Sequence, residues 1–81
     1  MFTNGSYNLA RAETASDTTD FFYGVCDALY VGVTGNVTVV LDSNATVLFP
    51  AVPAGAVLPI NAKRVNNTAT AASGFVALYR K

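Results

Sequence analysis

From Phe21 onward, apolar β-formers arrive in short bursts separated by turn residues about every 8–12 positions, a spacing that belongs to short strands joined by tight connections. Leu29-Tyr30-Val31-Gly32-Val33 is the first burst, closed by Thr34-Gly35-Asn36, where Gly and Asn tolerate positive φ. Val37-Thr38-Val39-Val40-Leu41 follows, and Asp42-Ser43-Asn44 offers a tight turn into Ala45-Thr46-Val47-Leu48-Phe49, so the three bursts predict a meander. Pro50, Pro53 and Gly55 then mark a loop or a sheet corner, because proline donates no ladder hydrogen bond. Residues 57–65 resume as an extended segment that Pro59 confines to an edge, residues 68–74 are a small-residue connection, and Phe75-Val76-Ala77-Leu78-Tyr79 is the final strand.

Residues 1–20 differ. They are rich in Thr, Ser, Ala and Asn without a consistent period, and they read as an N-terminal arm preceding a β-domain at 21–81; the stretch from Leu9 to Ala15 fits either a strand or one or two helical turns. Five or six strands without a convincing helix predict an all-β fold, a small antiparallel β-sandwich or partly open barrel.

The faces of the strands carry the functional hint. On 37–41, Val37, Val39 and Leu41 oppose Thr38 and Val40, which gives that strand a clear inside. On 29–33, Leu29, Val31 and Val33 oppose Ala28, Tyr30 and Gly32, and on 75–79, Phe75, Ala77 and Tyr79 oppose Val76 and Leu78. Both faces of these two strands are largely apolar. A domain of 81 residues removes only about 60% of its unfolded surface from water, so it cannot bury both. Either another subunit covers the second face, or two sheets pack tightly with tyrosine hydroxyls at the rim.

Composition narrows the choice. Apolar residues make up 52% of the chain and charged residues 12%, about half the usual share, and five basic residues cancel five acidic ones. No net field steers nucleic acid or discourages self-association; Lys63, Arg64, Arg80 and Lys81 form two short pairs, which read as solvated edges and not as a phosphate-binding stripe. No apolar run reaches the ~20 residues of a membrane span, and Met1 to Gly5 lacks a basic segment followed by an apolar one, so neither a membrane partner nor secretion is expected. The triplets beginning at Asn4, Asn36, Asn44 and Asn66 match glycosylation acceptors and read as turns.

A small domain compensates for a thin core with disulfides, a metal or a partner. Cys26 is the only cysteine and histidine is absent, which removes intrachain disulfides and the common zinc, haem and iron–sulfur ligand sets, and leaves association. The same absence of histidine removes the usual base beside a Ser, Cys or Thr nucleophile, and Glu13, Asp17, Asp20, Asp27 and Asp42 stand mostly in polar, turn-like settings, so no enzyme is expected. Asp17-Thr18-Thr19-Asp20 offers hard oxygens to a divalent cation but lacks EF-hand spacing and reads as a capped turn. Cys26, with no basic neighbour, reads as a buried, inert thiol. Glycines form no phosphate cradle, and no cofactor is expected. Phe21, Phe22, Tyr23, Tyr30, Phe75 and Tyr79 make a core or an interface; the alternative is a sugar-stacking platform, hence a monomeric glycan-binding module used in adhesion, though tryptophan is absent.

Ala28-Leu29-Tyr30-Val31-Gly32, Gly35-Asn36-Val37-Thr38-Val39-Val40-Leu41, Val52-Pro53-Ala54-Gly55-Ala56-Val57-Leu58-Pro59-Ile60, Lys63-Arg64-Val65 and Val76-Ala77-Leu78-Tyr79 occur in an order that resembles the small spike base proteins of gene transfer agents and related tailed phages. The resemblance covers roughly residues 17 to 79. It implies a β-rich virion protein on the capsid surface that oligomerises at vertices, as a pentamer, with the major capsid protein and a spike or fibre protein as partners. A ring of that kind closes through a heterologous interface, consistent with two apolar faces on one strand. The subunit or partner interface is expected on Leu29, Tyr30, Val31, Val52, Pro53, Leu58, Ile60, Phe75, Leu78 and Tyr79, with the 52–55 loop presented to capsid or fibre and the N-terminal arm docking to the capsid or to a neighbour.

Overall fold

A computed structural model describes residues 7–80, and every regular element among them is a strand: β1 (Leu9–Glu13), β2 (Ala28–Val31), β3 (Gly35–Leu41), β4 (Thr46–Val52), β5 (Ala56–Leu58), β6 (Ala62–Asn66) and β7 (Phe75–Tyr79). They form two antiparallel sheets, one of four strands in the order β1-β7-β2-β5 and one of three in the order β4-β3-β6. The fold is thus a small all-β sandwich.

The alternation along the strands sets the core. Leu29, Val31, Phe75, Ala77 and Tyr79 from the first sheet meet Val37, Val39 and Val65 from the second, with Phe21, Cys26, Val52, Ala62 and Ala72 completing one buried cluster. Each large side chain hidden there contributes on the order of 1.5–3 kcal/mol through removal of apolar surface from water. Branched side chains dominate because they fit a pleated surface with one preferred rotamer.

The predicted meander is corrected. β3 and β4 do form a hairpin, in which Leu41 N–H donates to the Ala45 carbonyl at 2.8 Å and Asn44 adopts φ 70° in the turn. β2, however, does not pair with β3. The connection through Thr34 carries the chain from one sheet to the other, and β2 lies between β7 and β5. The continuous strand expected over 57–65 also divides: β5 ends before Pro59, and β6 begins at Ala62 in the opposite sheet. Proline removes a donor at the point where the chain leaves one ladder for the other.

Pro50, expected to interrupt, lies within β4. The register passes from Val37↔Phe49 to Gly35↔Val52, so β4 carries one extra residue at Pro50-Ala51. Ala51 takes φ 51° and its N–H donates to Asn36 Oδ1 at 2.9 Å, so the side chain of Asn36 supplies the acceptor that the displaced ladder does not. A second bulge, at Lys63, lets β6 continue past Leu41.

Within the segment read as an arm, residues 9–13 are strand β1, paired along their whole length with β7 from Leu9↔Tyr79 to Glu13↔Phe75. The chain then crosses to the other sheet and covers the edge of β6: Ser16, Phe21 and Cys26 donate to the carbonyls of Val65, Lys63 and Ala62 at 2.8, 2.8 and 2.9 Å. That edge is therefore closed to strand addition.

Candidate association surface

Pairing in the four-stranded sheet fixes what its outward face presents. Leu78 stands between Ala10 and Ala28, while Ala12, Val76, Tyr30 and Val57 form the next row across the four strands. None of these seven side chains is charged. Val57 is 47% exposed, Ala10 and Ala12 are exposed, Tyr30, Val76 and Leu78 are half-buried, and only Ala28 is fully covered. The outward face of the three-stranded sheet is different, with Thr46, Leu48, Thr38, Val40, Arg64 and Asn66 in register. There the Thr38 hydroxyl donates to the Ala69 carbonyl at 3.0 Å, and the 67–72 connection lies against that part of the sheet. One face of the sandwich is thus polar and partly roofed, and the other is uncharged, with Ala10, Ala12 and Val57 exposed around the half-buried Tyr30, Val76 and Leu78.

A second exposed apolar cluster borders the same sheet at its β1 edge. Arg11 points to the side of β1 opposite Ala10 and Ala12, and its guanidinium stacks 4.5 Å from the Phe22 ring centroid and 5.8 Å from that of Tyr23. The two rings meet edge to face at 5.3 Å, and Tyr23 in turn packs on Tyr79 at 5.7 Å. Glu13 holds the group in place, as its carboxylate accepts the Phe22 N–H at 3.3 Å and pairs with Arg11 at 3.6 Å. Phe22 is nonetheless 71% exposed and Tyr23 42%.

The residues expected at an interface fall into three groups. Tyr30 and Leu78 lie on the open apolar face. Pro53 is exposed in the β4–β5 loop, and Leu58 and Ile60 are half-buried against the core. Leu29, Val31, Val52, Phe75 and Tyr79 are a correction: they are at most 5% exposed because their parity points them between the sheets, where the chain covers them itself and no partner can reach them. Ala10, Ala12, Val57 and Val76 complete the face and were missed, although the alternation on 75–79 already sets Val76 beside Leu78. Tyr23, Tyr30 and Tyr79 do not form a surface cluster. Tyr79 is buried, and Tyr30 projects from the other side of the sheet, so the platform a stacked sugar needs is not assembled from these three.

The remaining chemical candidates are engaged structurally. The Asp17 carboxylate accepts both the N–H of Thr68 at 2.9 Å and its hydroxyl at 2.7 Å, and these bonds hold its pKa below the ordinary carboxylate value. Asp20 pairs with Arg64 at 2.9 Å. Among the described residues no group of three or more His, Cys, Asp or Glu comes together to hold a metal. The Cys26 thiol is buried, burial pushes its pKa up, and Sγ lies 3.6 Å from the Ile60 carbonyl.

No family model matches the chain, and no curated protein matches it. Among solved structures, a chain from the capsid of a native GTA (gene transfer agent) particle computed with C5 symmetry superposes with a TM-score of 0.79 at 29% identity, over 90% of this chain and 83% of that one. Over nearly its whole length the chain is therefore similar to a component of a gene transfer agent capsid, in sequence as well as in fold.

Proposed function

We propose that the chain is a non-catalytic structural protein of a virion, which assembles as a closed homo-oligomer, a pentamer, and serves at a capsid vertex as the base of a spike or fibre. The observation that carries this reading is the uncharged outward face of the four-stranded sheet around Tyr30, Val76 and Leu78, in a domain too small to cover it. The similarity to a gene transfer agent capsid component supports a role in a virion, and the ring of five is what placement at a fivefold capsid vertex would require. The mechanism is geometrical: the sheet face buries against a neighbouring copy, while the exposed loop at Pro53 faces the major capsid protein or the fibre. No reaction, cofactor, nucleic acid or membrane enters it.

Size-exclusion chromatography with light scattering tests the reading. The wild-type chain is expected to elute at the mass of a closed oligomer at micromolar concentration, and Val76→Lys, which sets a charge at the middle of the face, is expected to elute as a folded monomer. A wild-type chain that stays monomeric throughout that range contradicts it.

A further inference from the structure

An odd-membered ring cannot be built from a patch that meets its own copy. Such a contact has twofold symmetry and stops at a dimer, so each subunit of a fivefold ring needs two different patches that fit each other. The sheet face is one. An uncharged face is best complemented by a second exposed apolar cluster, and among the described residues the large exposed hydrophobic side chains are few: Phe22, Tyr23, Val33, Leu48 and Val57. Val57 belongs to the sheet face already, and Val33 and Leu48 stand on separate strands or loops of different sheets. Among the described residues, Phe22 and Tyr23 alone form a cluster.

Resting on the proposed homo-oligomer, we infer that the Phe22–Tyr23 knob of one copy docks on the uncharged face around Tyr30 and Val76 of the next, so that the ring contact is heterologous. Three features of the knob suit that occupant. Its rings already rest against each other and against Arg11, and the Glu13 bond to the Phe22 N–H anchors the backbone that carries them, which reduces the side-chain freedom to be lost on docking. Its one cation, Arg11, is already compensated by Glu13 and by stacking on Phe22, so the knob brings no unpaired charge to a face that holds no counter-charge. Aromatic and arginine side chains together are also the residue types that carry most of the energy at protein interfaces.

The placement suits a ring as well. Ala10 and Ala12 lie on the sheet face while Arg11, between them, turns to the opposite side of β1 and meets Phe22. The two patches therefore leave the molecule in different directions from one strand, and neither blocks the other.

A mixing experiment decides the matter. Phe22→Asp spoils the knob and Val76→Lys spoils the face; circular dichroism checks that each variant is folded, and Phe22→Ser replaces Phe22→Asp if the latter is not. Each variant alone is expected to be monomeric where the wild type assembles, with association weakened at least about tenfold. An equimolar mixture is expected to give a heterodimer and nothing larger, because one intact knob and one intact face remain between the two chains. If Val76→Lys dissociates the wild-type assembly but Phe22→Asp assembles as the wild type does, or the mixture stays monomeric, the inference falls and the assembly reading stands. If the wild-type chain is itself monomeric, both fall.

Discussion

Tyr79 shows how one side chain can serve two layers of this small structure. Its ring is fully buried between the sheets, and its hydroxyl donates to the Gly24 carbonyl at 3.0 Å, which fixes the turn that carries Phe22 and Tyr23. Burial, with smaller effects from the nearby Cys26 and Glu13 charges, pushes its pKa up from 10.0 to about 12. A group whose folded pKa is raised contributes its stability fully below the unfolded value and loses it as pH climbs through the folded one. Stability is therefore expected to fall between about pH 10 and 12 as the tyrosinate form, which only the unfolded chain solvates, takes over. Tyr79→Phe should lack this component. At neutral pH it should cost about 1 kcal/mol, the worth of the lost bond to Gly24, so urea titrations are expected to show a gap between the two proteins that closes as pH rises above 10 and reverses in sign before pH 12. A gap that stays constant over that range would show that the hydroxyl ionises freely in the folded state.

At the scale of elements, the crossing between the sheets is the least forgiving point. Asn36 offers its carbonyl to the N–H groups of Ala71 and Ala72 at 2.8 and 3.1 Å, which draws the 67–74 connection against the start of β3. A Cβ on Gly35 would sit 2.6 Å from the Ala72 nitrogen and 2.9 Å from the Ala71 carbonyl carbon, both backbone atoms that cannot swing aside. Gly35→Ala is accordingly expected to destabilise the fold by about 1–3 kcal/mol, the range for overpacking, read as a lower urea midpoint at unchanged slope. A midpoint equal to wild type would mean the connection is loose. That crossing also marks the limit of what the sequence made legible. Strands at 37–41 and 75–79 could be read because period-two alternation is a local property, and the same alternation correctly named Val37, Val39 and Leu41 as the inner side. Which strand a segment pairs with is not local, so the turn at Gly35 looked like the return of a meander and was a passage to the other sheet. β1 was ambiguous for a different reason. Its pattern is inverted, with the small apolar Ala10 and Ala12 facing out and Arg11 and Glu13 on the core side at an open edge, where they engage Phe22. Likewise the apolar second face of β2 and β7 could be read from the alternation, whereas five of the ten residues expected at an interface belong to the core, because alternation alone does not say which apolar face looks inward.

For the whole molecule the question is how a sandwich with a radius of gyration of 11.7 Å and a single buried cluster is held together. Small domains keep a narrow margin, and here no intrachain disulfide adds to it, because Cys26 is the only cysteine. Association through the sheet face would add stability by mass action, because the assembled form binds further folded copies and the unfolded chain does not. Above the dissociation constant each tenfold rise in concentration then contributes, in a pentamer, about 1.1 kcal/mol per subunit, four-fifths of the ~1.4 kcal/mol worth of a tenfold change. For a domain of this size 1 kcal/mol moves Tm by roughly 4–8 °C, so Tm is expected to climb by about 4–9 °C for every tenfold increase in protein concentration. Val76→Lys should remove that dependence and melt at one temperature over the same range, near the low-concentration value of the wild type. Differential scanning calorimetry at several concentrations separates the two possibilities: a wild-type Tm that does not move with concentration would mean that the apolar face contributes nothing to stability through self-association.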